Sequence, residues 1–317
     1  MGTSSHLTKE SRTQLQLITY GTHGNWQAGV QIEDKVIAVA SLGPYPSTVK
    51  ELLKIDSAIF DEMLDAATNA IDSVDAVDVS SLHLGPAVPD PGKIICLGLN
   101  YRDHAAEANL PLPAKPVLFA KYSNSLIGPY DNILVPWAAA AAVDYEAELV
   151  VVIGRRASRI TESEALKYVA GYTAFNDVSA RDLQMETSQW GAGKAIDTFG
   201  PIGPGVVPSR YIADPQSLMV TARVNGRRVQ HESTNQMIFS VAETIAFITQ
   251  FMTLEPGDII ATGTPAGVGF TRKPQILLRD GDVVEVEIEK IGTLRNTVVF
   301  DSKGIVEAPR VSTMAAR

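Results

Sequence analysis

Two acidic residues stand at the head of an apolar run, and this stretch constrains the chain most. Glu146 and Glu148 lead into the run 149–153, and Gly154 follows it. A run of Val and Ile ending in Gly predicts a buried strand, and residues two apart on a strand share a face. Adjacent carboxylates raise each other's pKa, a cost that a hard divalent cation offsets in a buried site. The stretch therefore predicts a metal site; the alternative is the solvent face of an edge strand.

A third acid ends another predicted strand. Residues 172–176 are expected to form this strand, which delivers Asp177 at its end. Three carboxylates make a hard oxygen site suited to Mg²⁺ or Mn²⁺, with Ca²⁺ an acceptable substitute in a crystal. Zn²⁺ would prefer nitrogen or sulfur donors. We therefore expect Glu146, Glu148 and Asp177 to share one ion.

The composition excludes several kinds of partner. The 317-residue chain has a formal net charge of -9, which argues against nucleic acid or an anionic membrane as a partner, since either would require a basic face. Its single cysteine, Cys96, lies in an apolar string and is expected to pack in the core. The polar start lacks the apolar segment of a signal peptide, and no stretch reaches the length of a membrane span. We expect a cytoplasmic protein with no nucleic-acid or membrane partner.

Prolines and glycines mark a boundary between two units. Residues 85–92 contain three prolines and two glycines, which prevents a helix and indicates a connection. We expect a flexible leader at 1–14, a small N-terminal α/β domain at 15–84 and a catalytic domain at 92–313. The N-terminal domain should hold three short strands and an amphipathic helix over 59–71. The predicted fold class is α+β, mostly β.

Helix signals place further polar side chains. Asn100 is a candidate cap for a short helix from Tyr101, which makes His104 and Glu107 neighbours at i, i+3. A carboxylate beside a histidine orients the imidazole as a general base needs, although an exposed ion pair is the alternative. Capping boxes at 161–164 and 240–243 open two further predicted helices, the first ending near residue 171.

Two other stretches carry candidate ligand-binding groups. Lys194 lies between small residues and is either a surface charge or a cation aimed into a pocket. The loop 263–269 is rich in glycine but lacks the lysine-serine pair and the Rossmann context of phosphate-binding loops. We expect it to offer backbone N–H groups or the Thr264 hydroxyl to a substrate carboxylate.

Five motifs, taken together and in order, resemble those of the fumarylacetoacetate hydrolase (FAH) superfamily over residues 92 to 300. Each motif by itself is a weak signal, and their order makes the resemblance specific. They are Gly98-x-Asn100-Tyr101-x-x-His104-x-x-Glu107, Asp144-Tyr145-Glu146-x-Glu148-Leu149, Asn176-Asp177-Val178-Ser179-Ala180-Arg181-Asp182-x-Gln184, Gly263-Thr264-Pro265-x-Gly267-Val268-Gly269 and Gly292-Thr293-Leu294-x-Asn296.

The resemblance implies a fold and a set of residue roles. The fold would be the FAH fold, a mixed β-sandwich roll, in a protein that is commonly a homodimer. The roles that it implies are metal binding by Glu146, Glu148 and Asp177, catalysis by His104, Glu107 and Lys194, with the first two on a lid helix, and substrate binding by Arg181, Gln184 and Thr264.

The resemblance also implies a substrate and a choice of reactions. The substrate would be a 2-oxo or 2,4-dioxo acid, which chelates the metal through its carboxylate and keto oxygens. Our first hypothesis is hydrolysis of a C–C bond in a 2,4-dioxo acid through a metal-stabilised enolate. An oxaloacetate decarboxylase and a 2-hydroxydienedioate isomerase are the nearest alternatives, and a non-catalytic oxo-acid-binding protein is a third. Leu99 stands where relatives that cleave acylpyruvates often carry Arg, which weakens the case for a small acylpyruvate.

Overall fold

The structure is a computed structural model that describes residues 15–73, 75–137 and 141–301. The predicted leader at 1–14 and the predicted end of the catalytic domain after residue 301 lie outside the described residues. Among the residues described, no helix is long and apolar enough to cross a membrane.

Strands dominate the described part of the chain, as the predicted fold class requires. The strands are β1 (Leu15–Thr22), β2 (Asn25–Ile32), β3 (Lys35–Ala38), β4 (Val77–Asp78), β5 (Ile94–Gly98), β6 (Val117–Lys121), β7 (Leu126–Ile127), β8 (Ile133–Val135), β9 (Val143–Asp144), β10 (Ala147–Ile153), β11 (Val169–Asn176), β12 (Ser179–Ala180), β13 (Gly200–Pro208), β14 (Met219–Val224), β15 (Arg227–Ser233), β16 (Ile259–Ala261), β17 (Val283–Ile288) and β18 (Gly292–Phe300). The helices are α1 (Val39–Leu42), α2 (Val49–Leu52), α3 (Ser57–Ala70), α4 (Arg102–Glu107), α5 (Glu162–Ala165), α6 (Arg181–Met185), α7 (Gly191–Lys194) and α8 (Val241–Thr249).

One large mixed sheet runs through the molecule in the order β4-β3-β2-β1-β13-β11-β10-β16-β5-β6, with β7 also paired to β13. The predicted N-terminal strands form, and β1 pairs with β13 at Leu17 and Val206. The N-terminal strands therefore extend the sheet that carries β10. The division into two domains at 85–92 stays a prediction.

The central strand β10 is buried on both faces. Leu149 and Val151 pack in the core that contains residues of a second sheet, ordered β15-β14-β17-β18-β8. Val150 and Val152 pack with residues of the N-terminal segment, including Met63 of α3. Burial on both faces explains the continuous apolar run. Glu148 shares the face of Val150, at the end of the strand where the apolar contacts stop.

One of the two predicted capping boxes forms. At Ser240 the hydroxyl accepts the Glu243 N–H, and the Glu243 carboxylate accepts the Ser240 N–H. Thr161 makes no side-chain bond to the backbone of its helix, and α5 ends at Ala165. The prediction of a helix to residue 171 is wrong, because Val169 already pairs with Ile153 in the sheet.

Candidate active site

The three predicted metal ligands meet at the ends of neighbouring strands. β10 and β11 pair antiparallel, so Glu146, just before β10, lies opposite Asp177, just after β11. The Asp177 N–H donates to the Glu146 carbonyl over 2.9 Å, and the Glu146 N–H donates to the Asn176 side chain over 3.0 Å. Oxygen atoms of Glu146, Glu148 and Asp177 all lie within 4.8 Å of one another, and all three residues are buried. The predicted trio is therefore brought together as the strand pattern indicates.

Two buried lysines neutralise part of this negative charge. The Lys194 ammonium lies 2.7 Å from a Glu146 oxygen and 2.8 Å from an Asp177 oxygen. The other Asp177 oxygen accepts a bond of 2.6 Å from Lys121, at the end of β6. Burial lowers the pKa of Lys194, but the attraction of Asp177 and Glu146 outweighs it, so the net pKa is raised. Lys194 is thus a cation inside the site and not a surface charge.

Arg181 joins the trio to a fourth buried acid. Its guanidinium lies 2.7 Å from Glu146 and donates to Asp144 over 3.0 Å and to the side-chain carbonyl oxygen of Gln184 over 2.9 Å. The pairing of β9 with β12 places Asp144 beside Arg181. Burial by itself would raise the pKa of Glu146, but Lys194 and Arg181 lower it to about 2. Glu146 is therefore held as a carboxylate.

Glu148 differs from its neighbours because no described cation pairs with it. Its carboxylate accepts one N–H, from Gly263, over 2.8 Å. Burial raises its pKa well above the ordinary value, and the nearby charges of Asp177 and Glu146 raise it further. A buried carboxylate without a cation is costly, and a hard divalent ion among three carboxylates removes that cost. The donor set therefore fits Mg²⁺ or Mn²⁺.

The predicted histidine-glutamate pair forms on α4. His104 Nδ1 lies 2.7 Å from one Glu107 oxygen. The other oxygen accepts the Gly267 N–H over 2.9 Å and the Thr271 hydroxyl over 3.1 Å. Burial raises the pKa of Glu107, but the bonds from His104 and Gly267 outweigh it, so the net pKa is lowered. An ionised Glu107 thus orients the imidazole.

Asn100 does not cap this helix, and that prediction is wrong. The N-cap position belongs to Tyr101, which makes no side-chain bond there. The Asn100 side chain accepts the Phe239 N–H and donates to the Thr262 carbonyl instead. Its amide can satisfy donor and acceptor groups of two other segments at once, which is worth more in the buried interior than one cap.

The glycine-rich loop uses its polar groups mainly within the protein. Three of its N–H groups hold carboxylates of this chain, since Gly263, Gly267 and Gly269 donate to Glu148, Glu107 and Asp144. The Thr264 hydroxyl donates to the Ala147 carbonyl over 2.9 Å and accepts a bond from Gln230. The loop therefore braces the site, and binding of a substrate carboxylate by Thr264 stays a prediction.

Sequence reasoning missed Lys121 and Asp144 as parts of this site. Lys121 meets Asp177 from a position 56 residues away, and Asp144 meets Arg181 from 37 residues away. No local spacing relates these residues. The position of Asp144, two residues before Glu146, was the one available signal.

One cavity of about 370 Å³ opens onto both parts of the site. Every predicted site residue lines it except Glu107, Glu148 and Asp177. The lining residues are Leu97, Gly98, Leu99, His104, Ala108, Leu110, Phe119, Glu146, Arg181, Gln184, Met185, Trp190, Lys194, Thr264, Val268, Phe270 and Thr271.

The fold and the site define a member of the fumarylacetoacetate hydrolase family. Residues 93–299 match the family described as fumarylacetoacetate (FAA) hydrolase C-terminal, and the chain belongs to it. The chain is 44% identical to a mitochondrial oxaloacetate tautomerase of Bos taurus over 256 residues, which cover 80% of each protein. The predicted family is confirmed.

Solved structures confirm the predicted fold. A putative HpcE protein from Mycobacterium smegmatis superimposes with a TM-score of 0.80 and 35% identity, covering 90% of this chain and 99% of that one. A maleylpyruvate hydrolase from Sphingobium sp. SYK-6, in complex with manganese(II) and pyruvate, gives a TM-score of 0.75 and 27% identity, with the same coverage of 90% and 99%. The bovine tautomerase and the maleylpyruvate hydrolase are named as enzymes, so the prediction of an enzyme is also confirmed.

Proposed function

We propose that this protein is a divalent-metal-dependent enzyme that interconverts the enol and keto forms of a 2-oxo acid. The observation that carries the proposal is that one cavity is lined both by Glu146 of the carboxylate trio and by His104 of the His104–Glu107 pair. The bovine relative, 44% identical, is named an oxaloacetate tautomerase, whereas the hydrolase from Sphingobium is 27% identical. The comparisons therefore favour tautomerisation over the hydrolysis that the sequence motifs placed first.

The His104–Glu107 pair supplies the proton transfer that this reaction needs. Glu107 is an ionised acceptor, so a neutral His104 keeps its proton on Nδ1 and presents Nε2 as the basic atom. In tautomerisation the enol oxygen loses one proton and carbon 3 gains one. A single base that accepts and returns a proton is enough, and no water attacks the substrate.

The acidic trio and its neighbours would bind the head of the substrate. Glu146, Glu148 and Asp177 would hold Mg²⁺ or Mn²⁺, which when bound supplies Lewis-acid stabilisation of an enolate. Lys194 lies close enough to the trio to stabilise charge on a substrate oxygen. Gln184 accepts a bond from Arg181 through its side-chain carbonyl, so its amide nitrogen is the atom it offers to the substrate.

An enol-decay assay tests this proposal. The enol forms of oxaloacetate and phenylpyruvate absorb in the ultraviolet, and their loss reports tautomerisation. We expect the protein to accelerate decay of at least one of them with Mg²⁺ or Mn²⁺ and to lose the effect in EDTA. No acceleration of either substrate at any metal concentration would overturn the proposal.

Hydrolysis of a C–C bond in a 2,4-dioxo acid is the second candidate. The oriented imidazole of His104 that suits proton transfer also suits activation of a water molecule. Product analysis separates the reactions: hydrolysis gives two carbon fragments, oxaloacetate decarboxylation gives CO₂, and isomerisation of a dienedioate gives an isomer. An oxo-acid-binding protein without activity would be stabilised by Mg²⁺ and oxalate but turn over none of these substrates.

The assembly state and the cell compartment stay predictions. A homodimer is expected from the family resemblance, and light scattering on the purified protein tests it. A cytoplasmic location was expected from composition, whereas the bovine relative is named as mitochondrial. Imaging of the tagged protein in its own cells decides between these compartments.

A further inference from the structure

Buried ionisable residues form one charged network around the carboxylate trio. Ion pairs of 2.6 to 2.9 Å join most of its members, and Glu148 lies beside them within the trio. Every member is at most 6% exposed. The acids of the network are Asp144, Glu146, Glu148 and Asp177, and its cations are Lys121, Arg181 and Lys194. Four carboxylates are thus set against three cations.

This balance determines the charge of the network as ligands bind. With all four acids ionised the network has one negative charge in excess, and a divalent ion held by the trio turns this into one positive charge in excess. The carboxylate of one 2-oxo acid then neutralises the network. Unmatched buried charge is costly, so the ion and the 2-oxo acid should favour each other's binding. None of the hydrogen bonds described for His104 and Glu107 joins that pair to the network.

Lys121 is the cation of this network that does not line the cavity. Arg181 and Lys194 line it, whereas the Lys121 side chain is fully buried. The Lys121 ammonium donates to one Asp177 oxygen over 2.6 Å and to the Val178 carbonyl over 3.1 Å, and Lys194 contacts the other Asp177 oxygen.

The contact with Asp177 favours the charged form of Lys121. Burial lowers the pKa of Lys121, the charge of Asp177 opposes this effect, and the net pKa is lowered. A separation of 2.6 Å from a carboxylate is nevertheless that of a charge-assisted hydrogen bond, which stabilises an ammonium group. Lys121 therefore acts on a ligand in the cavity through Asp177 and through its charge, without lining the cavity itself.

We propose that Lys121 is a positioning residue whose charge weakens binding of the divalent ion and strengthens binding of the 2-oxo acid carboxylate to the metal-loaded site. Without Lys121 the network would already be neutral with the ion bound, and a substrate carboxylate would add an unmatched negative charge. This inference rests on the metal and 2-oxo acid site of the proposed function, and it assigns a role to a residue outside the cavity lining. It does not depend on which reaction follows binding.

Lys121→Met tests the inference because it keeps the unbranched stem of the side chain and removes the charge. At one fixed pH, we expect calorimetry to show Mn²⁺ binding about tenfold tighter than in the wild type. Relaxation of pyruvate methyl protons by bound Mn²⁺ should show pyruvate binding to the loaded protein about tenfold weaker. Pyruvamide keeps two chelating oxygens but has no carboxylate charge, so its affinity for the loaded protein should not change.

Lys93→Met is the matched control. Lys93 contacts Asp258 over 2.6 Å, and Asp258 is 1% exposed, so this variant also removes the cation from a buried aspartate. The ion pair described for Lys93 lies outside the network. Lys93→Met should therefore leave the affinities for Mn²⁺ and for pyruvate within about twofold of the wild type.

The outcomes separate a role in charge from a merely structural role. Weaker binding of both Mn²⁺ and pyruvate in Lys121→Met, equal losses of pyruvate and pyruvamide, or unchanged affinities would each overturn the inference. If Lys121→Met does not fold, Lys121→Gln, which keeps a donor for Asp177, provides the same comparison. The expected binding pattern without turnover of any 2-oxo acid would overturn the proposed function alone, whereas a wild type that binds no Mn²⁺ would overturn both.

Discussion

We call Glu146, Glu148, Asp177 and the cations paired with them the floor of the site, and His104 with Glu107 its histidine side. The two sides are built in different ways. Glu146 precedes β10, Glu148 is the second residue of β10 and Asp177 follows β11, and all three are at most 6% exposed. His104 and Glu107 lie on a helix of six residues, and their side chains are 12% and 20% exposed. Lysine and arginine side chains neutralise much of the floor, whereas the Gly267 N–H and the Thr271 hydroxyl hold Glu107.

This difference separates binding from proton transfer. The floor fixes its charges in the sheet before any ligand arrives, which is what a preorganised cation and anion site requires. The histidine side keeps one basic nitrogen near the cavity and near water. Changes to the floor should therefore alter ligand affinity, whereas changes to the histidine side should alter turnover and leave metal affinity unchanged.

The largest expected effect follows Glu148→Gln. Loss of one of three carboxylates should weaken Mn²⁺ binding by about 100-fold or more and abolish metal-dependent turnover. In EDTA the same variant should be more stable than the wild type, because it removes a buried carboxylate whose pKa is raised by burial and by its acidic neighbours. Calorimetric titration with Mn²⁺ and thermal unfolding in EDTA measure the two effects.

The exposed residue Glu186 provides the control for this substitution. Glu186→Gln removes the same charge outside the trio and should change neither Mn²⁺ affinity nor thermal stability. Unchanged Mn²⁺ binding in Glu148→Gln would remove Glu148 from the metal site. A lower melting temperature in EDTA would contradict the claim that its charge is uncompensated.

His104→Asn should produce the next largest effect and confine it to turnover. Loss of a general base lowers kcat by about 10²- to 10⁴-fold. The Mn²⁺ dissociation constant should stay within about twofold of the wild type, because the hydrogen bond described for the His104 ring goes to Glu107 and metal affinity is set mainly by the ligands and their direct partners. Full activity would exclude His104 as the base. Weaker Mn²⁺ binding would contradict the separation of metal binding from proton transfer. His83→Asn, at an exposed histidine, serves as the control.

Strand and helix periodicity predicted the parts of the site that depend on local spacing. Glu146 and Glu148 are two apart at a strand head, and His104 and Glu107 are three apart on a helix, so each pair follows from the backbone period. Asp177 was predicted because it directly follows a predicted strand. The chemistry of these residue types then indicated a hard metal ion and a base.

The remaining contacts depend on how distant segments pair. Lys121 reaches Asp177 from the end of β6, two strands beyond β16 in the sheet order. Asn100 was expected to cap a helix but binds Phe239 and Thr262 across the fold. The pairing of β1 with β13 likewise has no local signal. The order of strands in the sheet decides which of these segments meet, and the local spacing of residues carries no information about that order.

A smaller effect is expected from Thr271→Val, which tests whether the segment after the 263–269 loop helps to orient Glu107. The Thr271 hydroxyl donates to Glu107 over 3.1 Å, and Val has nearly the same shape without the donor. Loss of one hydrogen bond of about 1 kcal/mol should lower kcat by about fivefold, through poorer orientation of His104. Mn²⁺ affinity should not change. Steady-state kinetics beside Mn²⁺ titration would detect either result, and a shift in metal affinity would mean that the loop also shapes the floor.

The smallest effect concerns pH and the free energy of unfolding. The pKa of Glu107 is lowered from an ordinary value of 4.5, so its ionised form favours the folded state. That contribution is fully present above about pH 4.5 and is lost as the pH falls through the lowered folded-state value. Wild type should therefore exceed Glu107→Gln in stability by about 1 kcal/mol or less near pH 7, and the gap should shrink below pH 4.5.

Urea unfolding in EDTA at several pH values between neutrality and acid measures this gap. Glu62→Gln, on an exposed face of α3, controls for the loss of one negative charge. A gap that stays constant or grows as the solution becomes acidic would mean that burial dominates over the bonds from His104, Gly267 and Thr271. The Glu107 carboxylate would then destabilise the fold as Glu148 does, and the floor and the histidine side would not differ in how they hold their carboxylates.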